Sequence, residues 1–250
     1  MTRREFVALA AVARDESVAR VAERELAPNE FILVRTSDGA RIGERWKDPQ
    51  LPAPLGSLVK PFVALAYGDS HGFRYPDFTC AGCWLPRGHG HIGITAALAH
   101  SCNSYFLQLA ALVNPDDVTR TAEQFGLPAP SDASPDSLIG RYGKWRIAPL
   151  AMANAYNELV HRRSDPGVPL ILDAMRRCAR SGTASAIAAP VAAKTGTAPC
   201  VHPASAIGDG LLAALFPSET PGFVLLVRAH GVPGAECARR SGPFLRAVLG

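Results

Sequence analysis

Three short stretches of this chain carry side chains whose types and spacing could do covalent chemistry. In Gly56-Ser57-Leu58-Val59-Lys60-Pro61-Phe62 a hydroxyl stands three residues before an amine. On a helix that spacing sets both on one face, a turn apart. A serine hydroxyl is a weak nucleophile until a neighbouring base takes its proton. An amine held away from water, or beside another cation, has a lowered pKa and can act as that base. Pro61 is tolerated only in a first helical turn, which places Ser57 close to the helix start. The other two stretches are Ser101-Cys102-Asn103 and Lys194-Thr195-Gly196-Thr197. Taken singly, each has a plain structural reading. Ser57 is a helix cap followed by a solvated lysine, and Ser101 or Asn103 caps the next helix.

A fourth group invites a metal. Cys80-x-x-Cys83 and Gly88-His89-Gly90-His91 together offer four ligands for a structural zinc ion. No second Cys-x-x-Cys follows, and the spacing matches no common zinc module. The expectation is therefore no metal, with the six cysteines as small buried residues or, in an exported protein, disulfide partners.

The three motifs occur in a fixed order with matching flanks: Gly-Ser-x-x-Lys-Pro-Phe, Ser-Cys-Asn-x-Tyr-Phe and Lys-Thr-Gly-Thr-Ala. In this the chain resembles the transpeptidase domain of penicillin-binding proteins, over about residues 25–250. Gly88-His89-Gly90 fits the same resemblance, since related domains often carry Gly-His-Gly before the helix leading to Ser-Cys-Asn. There are departures. Ser57 and Ser101 are closer in sequence than in most relatives, Ala193 replaces a frequent glycine, and Ala148 and Ala151 replace a threonine and a glutamine.

The resemblance implies a role for each motif residue. Ser57 is the nucleophile that becomes acylated, and Lys60 is its general base. Ser101 relays a proton to the leaving amine. Asn103 bonds the substrate amide and Lys60. Lys194 faces the substrate carboxylate and helps hold Ser101, while Thr195 and Thr197 offer that carboxylate their hydroxyls around Gly196. The backbone N–H groups of Ser57 and Thr197 form an oxyanion hole. No cofactor is implied. The implied partners are a D-alanyl-D-alanine stem peptide of peptidoglycan, β-lactams and a cell-wall protein, and the implied location is periplasmic or otherwise extracytoplasmic. Alternatives are a binding module without turnover, a serine β-lactamase, and an acyltransferase of peptide natural-product release. Against the β-lactamase stands the lack of a Glu-x-x-x-Asn segment between Asn103 and Lys194. Glu158, Asp165 and Asp173 lie there, but in no recognisable deacylation motif.

The elements that must position these residues are legible as follows. Residues 5–26 read as an amphipathic helix with Val7, Leu9, Val12, Val18, Val21 and Ala22 towards a core. Thr2-Arg3-Arg4-Glu5-Phe6-Val7 also resembles the opening of a twin-arginine export signal. Phe31–Thr36 and Ala40–Trp46 form a hairpin about Ser37-Asp38-Gly39. Residues 68–91 read as irregular, Ile92–His100 and Asn103–Val113 as helices, and 114–140 as connecting structure rich in proline. Helices follow from Ile147 and over 168–180. Strands follow over Val191–Ala198, Gly210–Phe216 and Gly222–Ala229, and a helix closes the chain over 235–249. The expected fold is α+β: an antiparallel sheet of about five strands with helices on both faces and a mainly helical middle, in one domain over 1–250.

Composition agrees with a globular α+β chain: 250 residues, 48% apolar and 19% charged, with net charge +4. The Arg-Arg pairs are scattered without interleaved aromatics, which argues against nucleic acid. No apolar run approaches a membrane span.

Overall fold

The C-terminal third supplies three of the five strands of the main sheet, because its apolar runs are long enough to be buried on both faces. The computed structural model describes residues 15–200 and 208–250. In chain order, α1 covers residues 15–25, and the hairpin β1 (Glu30–Arg35) and β2 (Arg41–Arg45) follows. Next come β3 (Ala53–Pro54), a 3₁₀ helix over Gly56–Val59, and α2 (Lys60–Ser70). A small hairpin β4 (Phe78–Cys80) and β5 (Gly90–Ile92) leads to α3 (Ile94–Ala99) and α4 (Asn103–Ala110). Then follow α5 (Pro115–Gln124), α6 (Pro135–Leu138), β6 (Arg146–Ile147), α7 (Pro149–His161) and α8 (Val168–Ser181). The chain closes with β7 (Ala192–Ala198), β8 (Asp209–Phe216), β9 (Phe223–Ala229) and α9 (Gly234–Leu249).

Five strands form one antiparallel sheet in the order β2-β1-β9-β8-β7. The period of two sorts its side chains onto two cores. Ile32, Val34, Leu211, Ala213, Leu215, Val224 and Leu226 pack with residues of α2, α7 and α8. Phe31, Leu33, Leu212, Phe216, Leu225 and Val227 pack with Val18 and Ala22 of α1 and Phe244 and Leu245 of α9. Each such fully buried aliphatic or aromatic side chain contributes about 1.5–3 kcal/mol relative to exposure. The expected fold class is therefore the one observed, and the predicted strands and closing helix fall within two residues of their places.

Three expectations change. Residues 114–140 are not mere connection, since α5 and α6 lie there. Their prolines stand at the first helical position, where the missing N–H costs nothing. Asn114 caps α5 by accepting from the Asp116 amide at 3.0 Å, and Ser134 caps α6 from Ser137. Residues 68–91 contain the β4–β5 hairpin. The helix expected from residue 5 is seen over 15–25, with Val18 and Ala22 buried as expected. Val7, Leu9, Val12 and the paired arginines lie outside the described residues. Among those residues no helix is long and apolar enough to cross a membrane.

Candidate active site

Three pieces of backbone bring the chemical residues together: the 3₁₀ turn entering α2, the junction between α3 and α4, and the edge strand β7. Ser57 sits within the 3₁₀ helix, one residue-pair ahead of α2, not at the α-helical start itself. Pro61 occupies the first turn of α2, as its chemistry requires. The turn lies hard against β7. Gly56 has a left-handed backbone (φ +54°), and a Cβ there would fall 2.5 Å from the Thr197 carbonyl oxygen. Only glycine lets the backbones of Gly56-Ser57 and Thr197 approach this closely.

At the second junction the expected caps are not the ones used. Cys102 is the N-cap of α4, its sulfur accepting from the Tyr105 amide at 3.4 Å. Ser101 and Asn103 are thereby released to face the cleft. Ser101 adopts a left-handed conformation (φ +50°), unusual for a residue with a side chain.

Lys60 and Lys194 converge on the hydroxyl of Ser101. Lys60 Nζ donates to the Ser101 carbonyl at 3.0 Å and to Asn103 Oδ1 at 2.7 Å, and lies 3.4 Å from Ser101 Oγ. Lys194 Nζ donates to Ser101 Oγ at 2.8 Å and to the Thr195 carbonyl at 2.7 Å. Both lysines are fully buried. Burial pushes the Lys60 amine well below the ordinary lysine range, with the positive Lys194 acting in the same direction. Burial lowers Lys194 to about 8. Lys60 Nζ also sits 5.2 Å from the centre of the Phe106 ring. No hydrogen bond joins Lys60 to Ser57.

The cleft above this network has a volume of about 700 Å³. Ser57, Ser101, Asn103 and Thr195, Gly196 and Thr197 of β7 all open into it. Thr195 Oγ1 is engaged by Thr183 Oγ1 at 2.5 Å, and Thr197 Oγ1 accepts from the Gly234 amide at 3.0 Å. All eight residues singled out in the three motifs therefore meet, with Lys60 and Lys194 forming the buried floor. Sequence reasoning missed Trp84, Arg141, Tyr142 and Thr183, which also line the cleft. The only signal for the arginine and tyrosine was a glycine pair: Gly140 and Gly143 bracket them, both with positive φ. No carboxylate lines the cleft among the described residues. Glu158 is paired with Arg162 at 2.6 Å, Asp165 lies 4.0 Å from Arg162, and Asp173 lies 3.7 Å from Arg180, all away from the cleft.

The four-ligand set weighed from the sequence is rearranged. Cys80, Cys83 and His89 come together with Cys102, whereas His91 is exposed and faces Asp77 at 3.3 Å.

Comparison with known proteins bears on the fold and the family. A search of curated protein sequences finds no match. Among solved structures, penicillin-binding protein 2 of Pseudomonas aeruginosa in complex with WCK 5153 superposes with a TM-score of 0.79. It is 17% identical, over 92% of this chain and 76% of that one. The complex of penicillin-binding protein 2 with MreC from Helicobacter pylori gives 0.77 at 14% identity, over 93% of this chain and 62% of that one. The ceftriaxone acyl-enzyme of penicillin-binding protein A from M. tuberculosis gives 0.74 at 14% identity, over 93% and 78%. The family model "Penicillin binding protein transpeptidase domain" matches residues 47–250. With that match covering all three motifs, this chain belongs to the penicillin-binding protein transpeptidase domain family.

Proposed function

We propose that this protein is a serine acyltransferase that acts on D-alanyl-D-alanine ends of peptidoglycan stem peptides through an acyl-enzyme on Ser57. The observation that carries the reading is the single Ser101 hydroxyl shared by two buried amines beneath a cleft that Ser57 enters. Burial holds the Lys60 amine well below the ordinary lysine range, which favours its neutral, proton-accepting form.

The steps follow from these positions. Ser57 Oγ attacks the penultimate D-alanine carbonyl and gives its proton to Lys60. The developing oxyanion is met by the backbone N–H groups of Ser57 and Thr197, brought together by the Gly56 contact. Loss of one such donor typically costs about 10²–10³ in rate. Ser101 hands a proton to the departing D-alanine amine, and the lysines on either side restore it. Asn103 orients the substrate amide and Lys60. Lys194, Thr195 and Thr197 hold the terminal carboxylate. An amine then takes the acyl group in cross-linking, or water in carboxypeptidase action. This substrate places the protein outside the cytoplasm, in contact with the cell wall. The Helicobacter pylori complex with MreC supports a cell-wall protein partner.

The β-lactamase reading is disfavoured by the cleft's lack of a carboxylate among the described residues, because hydrolysis needs a base that orients water. The test is intact-mass measurement after exposure to a labelled penicillin. One adduct per chain is expected, absent from Ser57→Ala. An adduct that survives in Ser57→Ala refutes the nucleophile assignment.

A further inference from the structure

We propose that Cys80, Cys83, His89 and Cys102 bind one structural zinc ion that braces the cleft from behind. The four ligand atoms all lie within 4.8 Å of one another. His89 Nδ1 is 3.3 Å from Cys83 Sγ and 3.6 Å from Cys80 Sγ. Tetrahedral zinc, with Zn–S near 2.3 Å and Zn–N near 2.0–2.1 Å, sets its nitrogen and sulfur ligands about 3.6 Å apart. The cluster is therefore already at nearly the spacing that a metal imposes. Three sulfurs and one imidazole close a tetrahedron with no open position, which is a structural and not a catalytic arrangement. Soft thiolates with one imidazole select zinc among the common divalent ions.

The backbone around the cluster is built to hold it. Cys80 ends β4, and His89 immediately precedes β5, so the hairpin delivers both. The turn between them is closed by the His89 amide on the Cys80 carbonyl at 3.1 Å. Gly88 is left-handed (φ +70°), and a Cβ there would fall 2.0 Å from the Cys80 carbonyl oxygen. Two of the sulfurs already accept backbone N–H groups, Cys83 from Leu85 at 3.5 Å and Cys102 from Tyr105 at 3.4 Å. Cys80 and Cys102 are buried, so water has little access to the centre.

Binding is a proton exchange. Zn²⁺ enters, three thiols release three protons to solvent, and His89 binds as the neutral imidazole. The site's net charge is then −1. Its place in the fold gives it a task. Cys102 lies between Ser101 and Asn103, and Cys83 precedes Trp84, which lines the cleft and donates to the His100 carbonyl at 3.0 Å. The metal joins these two walls, making the four ligands positioning residues for the reaction proposed above, on which this bracing role rests.

The experiment uses the full chain purified with zinc present, its metal counted by inductively coupled plasma mass spectrometry. One zinc per chain is expected. Cys80→Ser and Cys83→Ser lose it, while His91→Ala keeps it. Zinc stripped by dipicolinate and replaced with cobalt(II) should give thiolate-to-cobalt charge transfer and the visible bands of a tetrahedral centre. Stripped protein that is still folded by circular dichroism should label with penicillin at least about tenfold more slowly and recover when zinc is returned. Background zinc in the wild type, zinc retained in both serine variants, or a disulfide among these cysteines in non-reducing mass spectrometry overturns the site. Unchanged labelling after stripping overturns the bracing role. Metal content is read independently of labelling. A zinc-loaded protein that never labels therefore refutes the acyltransferase reading and upholds the metal site.

Discussion

Lys194→Met is the most informative single change, because the fold buries this amine at a cost that depends on pH. Lys194 is wholly buried and its pKa is lowered from 10.5 to about 8, with desolvation the main cause. A shift of that size corresponds to about 3 kcal/mol of differential stability between its protonation states. The sign follows from proton counting. Between the two pKa values the unfolded chain holds the proton and the native state does not, so stability rises with pH across the window. Below about pH 8 both states are protonated and the full penalty is felt. Above about pH 10.5 it has vanished. Methionine fills nearly the same volume and does not titrate. Urea unfolding of wild type and Lys194→Met, compared from pH 7 to pH 10, should therefore show the wild type gaining about 2–3 kcal/mol relative to the variant. Removing Lys194 also removes one of the two charges that lower Lys60. The variant, although not destabilised at neutral pH by the buried charge, should label poorly with penicillin, since the carboxylate loses its cation. Parallel stability curves for the two proteins across that range would refute a buried Lys194 of lowered pKa.

Three further outcomes are expected. Lys60→Ala should abolish penicillin labelling while circular dichroism stays native, and labelling at the wild-type rate would place the base elsewhere. The β-lactam adduct should persist, because no carboxylate lines the cleft among the described residues; rapid nitrocefin turnover over many equivalents would make the protein a hydrolase instead. Gly56→Ala should destabilise the protein by about 2–5 kcal/mol, from a left-handed alanine and a Cβ driven against the Thr197 carbonyl. It should also slow labelling at least about a hundredfold by parting the oxyanion donors; denaturation midpoints and labelling rates at the wild-type level would contradict this.

The motif residues were legible because chemistry restricts them to short fixed patterns, and the sheet was legible because β8 and β9 are buried on both faces and read as unbroken apolar runs. What was hidden depended on long-range approach or on local signals with two meanings. Pro115 and Pro135 read as breakers in the sequence, although each follows a capping side chain, Asn114 and Ser134, the pattern of a helix start. Cys102 could not be joined to Cys80 and Cys83 from spacing alone, since it comes from another element and doubles as a cap. Trp84, Arg141 and Tyr142 reach the cleft from loops, where no periodicity announces a facing direction.

The two margins of the sheet are treated in opposite ways. β2, one margin, carries Arg41, Glu44 and Arg45 along its five residues. Charge of this kind discourages a neighbouring molecule from adding a strand. β7, the other margin, carries little such protection along its cleft face. It is instead partly walled by the 3₁₀ turn at Gly56 and stopped by Pro199. An unpaired margin is a hazard for self-association, yet it is also the one place where an extended peptide can borrow main-chain hydrogen bonds from the sheet. The turn at Gly56 thus covers part of a margin that the sheet itself leaves unpaired, and covering an edge is one way a fold guards it against a foreign strand.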